Sequence, residues 1–94
     1  MVKGSKDGLD LLLKEAASVW LTSKKYILSD RRYQHVNRAR YTFTALALLS
    51  GYTKRRIMDY TGWSDTNVTY YAGKALVDDK VFEYLQKQGV ISVS

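Results

Sequence analysis

Ninety-four residues with no cysteine and a single histidine, His35, exclude a disulfide framework and a thiolate or multi-histidine metal site. The chain is 46% hydrophobic and 26% charged, carries a net charge of +6 and lacks proline, which fits one small domain of helices joined by short turns. No stretch has the layout of a signal peptide or the apolar length of a membrane span, so an intracellular protein without a membrane partner is expected.

Residues 1–6, MVKGSK, have little to bury and are expected to be disordered, leaving 7–94 as a single helical domain. From Gly8, LDLLLKEAASVWLTSKKYIL repeats Leu9, Leu12, Leu13, Ala16, Ala17, Trp20, Leu21 and Ile27 or Leu28 near the helical period. It predicts one long helix capped by Asp7, whose leucine-rich face serves packing or dimerisation. SDRRYQHVNR has no clear period and reads as a loop or short helical turn. NRARYTFTALALLSGY predicts a second helix, capped by Asn37 and stopped by Gly51, with Tyr41, Ala45, Leu48 and Leu49 on one face. Thr53 caps a third helix, KRRIMDYT, which ends at Gly62. Ser64 caps a fourth, DTNVTYYAGKALV, and a fifth, DDKVFEYLQKQ, stops at Gly89. VISVS is β-prone and reads as a tail or a strand at a dimer edge. The expected fold class is all-α, a compact bundle of about five helices with a helix-turn-helix core near 54–76.

Charge is unevenly distributed. Residues 24–56 hold nine cations against one acid, Asp30, a net +8, whereas 1–23 balance at zero and 57–94 carry −2. A positive middle third suits contacts to phosphate.

The stretch IMDYTGWSDTNVTYY lies beside that cluster. With Gly62 as a turn glycine, Ile57 and Met58 stand five and four residues before it, Trp63 directly after it, and Val68 and Tyr71 six and nine residues beyond. Two short helices that cross steeply touch at few places, so those places must be apolar and the sharp turn needs glycine. The run LLSGYTKRRIMDYTGWSDTNVTYYAGKAL resembles the helix-turn-helix domains of bacterial and phage regulators, including the promoter-reading region of sigma factors. It departs at Met58, where such domains usually carry alanine.

The resemblance implies that DTNVTYYAGKAL is a recognition helix presenting Asp65, Thr66, Thr69, Tyr70 and Gly73, with Asn67 and Lys74 also on the DNA side. Ser64 and Thr66 would meet phosphate at the helix N-terminus, and Thr69 and Tyr70 would touch base edges or thymine methyls. Lys54, Arg55 and Arg56 would contact the backbone, which sets affinity rather than sequence choice. Asp65 either accepts from a cytosine amine or caps the helix, and capping is favoured. Arg38 and Arg40 join the expected phosphate contacts, and Arg31 and Arg32 form an arm toward phosphate or the minor groove. Among the tyrosines, Tyr33 and Tyr70 are the candidates for DNA contact, while Tyr41, Tyr60, Tyr71 and Tyr84 fall on apolar faces.

A second resemblance covers RYTFTALALLSGYTKRRIMDYTGW, which is similar to the C-terminal catalytic region of tyrosine recombinases. Arg40 matches the second catalytic arginine and Trp63 the His/Trp donor to the scissile phosphate. Asn37 stands where histidine is usual, Ala72 where the nucleophile belongs, and Tyr70 and Tyr71 come two and one residues early. Phosphoryl transfer needs several cations around one phosphate, and the upstream half of that set is absent here.

The expected function is double-stranded DNA binding without enzymatic activity, as a small transcriptional or replication regulator of a phage, virus or plasmid, located in the cytoplasm with nucleoid or viral DNA. No cofactor, metal or small-molecule substrate is implied, and a homodimer is one expected assembly. The alternatives are a degenerate or truncated recombinase-like DNA-binding fragment and a basic module for an acidic protein partner.

Overall fold

A computed structural model describes residues 4–89. Six α-helices follow one another: α1 (Gly4–Val19), α2 (Lys24–Leu28), α3 (Gln34–Leu49), α4 (Lys54–Thr61), α5 (Asp65–Val77) and α6 (Asp79–Lys87). The all-α class agrees with the sequence reading, and there is no strand among the described residues. The expected strand or tail VISVS lies outside them.

The long first helix of the sequence reading is two helices. The Thr22 N–H reaches back to the Ala17 carbonyl (2.9 Å) and the Leu21 N–H to Ser18 (3.3 Å), closing α1 with a left-handed residue. That residue is Leu21, at φ 55° and 88% exposed. Glycine or asparagine usually occupies such a position, so leucine hid the break. Ser23 then starts α2, its hydroxyl accepting from the Tyr26 N–H (3.3 Å).

Two further boundaries differ. α1 begins at Gly4, so Gly4, Ser5 and Lys6 are helical and Asp7 sits inside the first turn rather than capping it. α3 begins at Gln34, after an extended Tyr33, which places Asn37 within the helix and releases its side chain for Arg40. The caps at Thr53 and Ser64 stand as expected, and Asp78 accepts from the Lys80 and Val81 N–H groups to start α6.

α3 is the axis of the fold. Every residue from Ala39 to Ala47 is buried, where the sequence reading expected one apolar face. One side, Ala39, Phe43 and Ala47, packs with Leu9, Leu13, Ala16, Ile27, Ile57 and Val68. The other, Tyr41, Ala45 and Leu46, packs with Ala75, Val81 and Leu85. A helix enclosed on all sides must be short-chained where neighbours approach, and Ala39, Ala45 and Ala47 supply that. Three polar residues, Arg40, Thr42 and Thr44, are enclosed, and the first two have side-chain partners. The Trp20 indole N–H donates to Thr42 Oγ1 (2.8 Å), and Arg40 is described below. Leu49 lies beyond this enclosure and is exposed.

Leu9 and Leu13 are fully buried within the chain, so the leucine-rich face of α1 is a packing face and is not available for dimerisation. Side-chain ties reinforce it. Asp10 accepts from Lys24 Nζ (2.8 Å) on α2 and from the Tyr60 hydroxyl (2.8 Å) on α4. Those two hydrogen bonds hold the Asp10 carboxyl below the usual carboxylate range. Burial, with the same bond to Asp10, pushes the Tyr60 hydroxyl up to about 12. Tyr84 on α6 donates in the same way to Glu15 on α1. None of the described helices is long and apolar enough to cross a membrane.

Candidate nucleic-acid interface

α4 and α5 are joined by a three-residue turn, 62–64. Gly62 ends α4 at φ 83°, its N–H donating to the Met58 carbonyl (2.8 Å), in a conformation that favours glycine. Ser64 Oγ then accepts from the Asn67 N–H (3.1 Å) and starts α5. The five expected inward positions do face inward. Ile57 and Val68 are completely buried, and Met58 is half-buried against the same cluster. Trp63 meets Tyr71 edge-on at 4.9 Å and Phe43 at 5.9 Å between ring centroids, which wedges the turn against α3.

The opposite face of α5 is open to solvent, although Tyr70 on it lies edge-on to Tyr41 at 6.4 Å and to Tyr71 at 6.0 Å between ring centroids. Asp65, Thr66, Asn67, Thr69, Tyr70 and Gly73 are all exposed. Asp65, Thr66, Thr69 and Tyr70 line a shallow open depression on that face. Asp65 is not the helix cap, because Ser64 fills that role. Instead Asp65 pairs with Lys54 Nζ at 3.0 Å and accepts from the Thr69 hydroxyl at 3.2 Å. Hydrogen bonding from Lys54, then its charge, holds the Asp65 carboxyl below its ordinary value.

Folding takes Arg40 out of the basic cluster of the sequence and pairs several of its other members with carboxylates. Arg40 is 3% exposed, and its guanidinium donates to the carbonyls of Ile27 (2.9 Å), Ser29 (2.7 Å) and Tyr26 (3.2 Å) and to Asn37 Oδ1 (2.7 Å). It therefore seals the C-terminal end of α2, whose last carbonyls have no helical partner, and is not a surface phosphate contact. Burial lowers its pKa by disfavouring the charge. Arg38 is also structural. Its Nε bonds Asp78 Oδ2 at 3.2 Å, fastening α3 to α6, and its guanidinium lies 5.9 Å from the centre of the Trp20 ring. Lys24 is taken by Asp10, Lys54 by Asp65, and Arg55 lies 3.5 Å from Asp59. The Lys54–Arg55–Arg56 triplet also diverges around α4. Lys54 leans on α5, whereas Arg56 lines a groove with Leu9, Asp59 and Tyr60 on the α1 side.

What faces solvent beside α5 is a smaller set. Arg31 and Arg32 are exposed in the loop between α2 and α3, with Arg31 lying 5.0 Å over the Tyr26 ring. Arg32 borders two clefts, one shared with Arg40, Trp63, Asn67 and Tyr71, the other with Asn37, Tyr41, Lys74 and Asp78. The loop thus runs along the flank of α5 and brings Arg32 near Asn67 and Lys74. Lys74 lies 5.9 Å from the Tyr70 ring centre. Tyr33 is exposed and stacks on His35 at 6.0 Å. No group of three or more metal-ligating side chains occurs among the described residues.

No protein-family model, no curated protein and no solved structure matches the chain.

Proposed function

We propose that this protein binds double-stranded DNA, with α5 in the major groove and the α2–α3 loop on the adjacent backbone or minor groove. The observation that carries the reading is the outward face of α5. It presents Thr66, Thr69 and Tyr70 unobstructed, next to the exposed Arg31 and Arg32, while its inner face holds the turn to α3. In this reading Arg31, Arg32 and Lys74 supply phosphate contacts, and Lys54 contributes less because Asp65 already balances its charge. The likeness of its α4–α5 segment to the helix-turn-helix domains of bacterial and phage regulators fits a transcriptional or replication regulator of a mobile element. A homodimer would need a surface other than the leucine face of α1.

Titration of labelled duplex at several salt concentrations tests the loop. Replacing Arg31 and Arg32 by alanine should weaken binding to all duplexes alike and reduce the salt slope by about 2. An unchanged slope would remove the loop from the interface.

A second reading has one observation in its favour: Arg40, Trp63 and Tyr71 line a single cleft, as a recombinase-like fragment would require. The guanidinium of Arg40 argues against chemistry there, since its donors already serve backbone carbonyls and Asn37. A suicide duplex with a nick near the cleavage point would trap a covalent 3′-phosphotyrosyl product. We expect no detergent-resistant band. A band that disappears in Tyr70→Phe or Tyr71→Phe would make this a strand-transferring enzyme.

A further inference from the structure

The hydrogen-bonding character of the outer edge of α5 is dictated by three side chains. Lys54 Nζ lies 3.0 Å from Asp65 Oδ1 and 3.0 Å from Thr69 Oγ1, and Thr69 Oγ1 lies 3.2 Å from the same carboxylate oxygen. An ammonium only donates and an ionised carboxylate only accepts. The Thr69 hydroxyl must therefore accept from Lys54 and give its one proton to Asp65. Its remaining lone pair and Asp65 Oδ2 are then acceptors with no donor beside them on either residue. Two of the three N–H bonds of Lys54 are committed to these two acceptors. Both residues line the depression that they share with Thr66 and Tyr70. An exposed ion pair of this kind contributes little to stability, so its arrangement has no need of a folding role.

We propose that Lys54, Asp65 and Thr69 act as one acceptor-only reading unit, which selects at a single base pair the major-groove amine of cytosine or adenine. Lys54 is a positioning residue in it. This inference rests on the DNA-binding reading above. The chemistry is direct: a carboxylate accepts a charge-assisted hydrogen bond from cytosine N4, and adenine N6 can donate to the same pair of acceptors. Guanine N7 and O6 at that place would set lone pairs against lone pairs.

The test uses the full chain and a duplex enriched by selection from a random pool. Each cytosine in turn is replaced by 2-pyrimidinone and each adenine by purine, which removes only the amine. For the unaltered protein, one position should lose about 5- to 100-fold in affinity. The same replacement should cost Lys54→Met and Asp65→Ala less than about twofold, because the unit is already broken, while their sensitivity elsewhere is retained. Absence of any amine-sensitive position in the unaltered protein, or equal sensitivity in all three proteins, would overturn the proposal and leave DNA binding standing. Failure of the unaltered protein to retain any duplex would remove the DNA-binding reading and this inference with it.

Discussion

Replacing Arg40 by methionine is expected to lower the free energy of unfolding by about 3–5 kcal/mol. Methionine keeps much of the aliphatic stem and the helix propensity, so the loss isolates the guanidinium. The carbonyls of Ile27 and Ser29 lose the donor that Arg40 gives them, Asn37 Oδ1 loses its contact, and the Tyr26 carbonyl keeps the Ser29 N–H and hydroxyl. Each unsatisfied group at a buried site costs about 1–3 kcal/mol, reduced where water enters from the neighbouring cleft. Arg40→Lys should recover only part of the loss, since one ammonium cannot span carbonyls that a planar fork reaches together. Urea unfolding followed by circular dichroism measures both. A change below about 1 kcal/mol for Arg40→Met would mean that α2 is held in place without this residue, and would return Arg40 to the list of candidate phosphate contacts.

Trp63→Ala is expected to cost about 3 kcal/mol, the lower end for a large aromatic because the ring is only half-buried. The ring fills the space between Phe43 on α3 and Tyr71 on α5, directly after the left-handed Gly62. Without it the turn loses the wedge that fixes α5 against α3. DNA affinity should fall along with stability, and by a similar factor at every sequence. Thermal melting and duplex titration on the same samples separate the roles. If melting barely moves while duplex binding is lost, Trp63 is a ligand-facing donor, and the recombinase-like reading gains over the regulator.

Local signals in the sequence located most of the fold. Thr53, Gly62 and Ser64 each specify a helix end through their own chemistry, and the structure has those ends where the spacing put them. Ile57 and Val68 were likewise legible, because a steep crossing of short helices leaves few apolar contact points. Leu21 was not legible, since leucine has no preference of its own for the left-handed position that it occupies at the end of α1. The encirclement of α3 was missed for a related reason: Thr42, Thr44 and Arg40 read as polar, and only the tertiary partners of Thr42 and Arg40 make those two tolerable inside. The candidate site shows the same division. Thr66, Thr69 and Tyr70 follow from helical periodicity and are exposed as expected. The fate of the cations does not follow from spacing, because Asp10, Asp65 and Asp78, which neutralise Lys24, Lys54 and Arg38, come from distant parts of the chain. A run of net charge in sequence therefore overstated the positive surface, and the pair Arg31–Arg32 carries more of it than the run suggested.

The central claim is that α5 reads duplex DNA, and unbiased selection of bound duplexes from a random pool tests it most directly. The unaltered protein should enrich a short motif. Thr66→Ala and Tyr70→Phe should alter preferences within that motif while leaving stability within about 1 kcal/mol of the parent, since Thr66 is exposed and phenylalanine keeps the ring contacts of Tyr70 with Tyr41 and Tyr71. A pool that shows no enrichment after repeated rounds, or a motif indifferent to both substitutions, would contradict the account and favour a basic surface that meets an acidic protein partner instead.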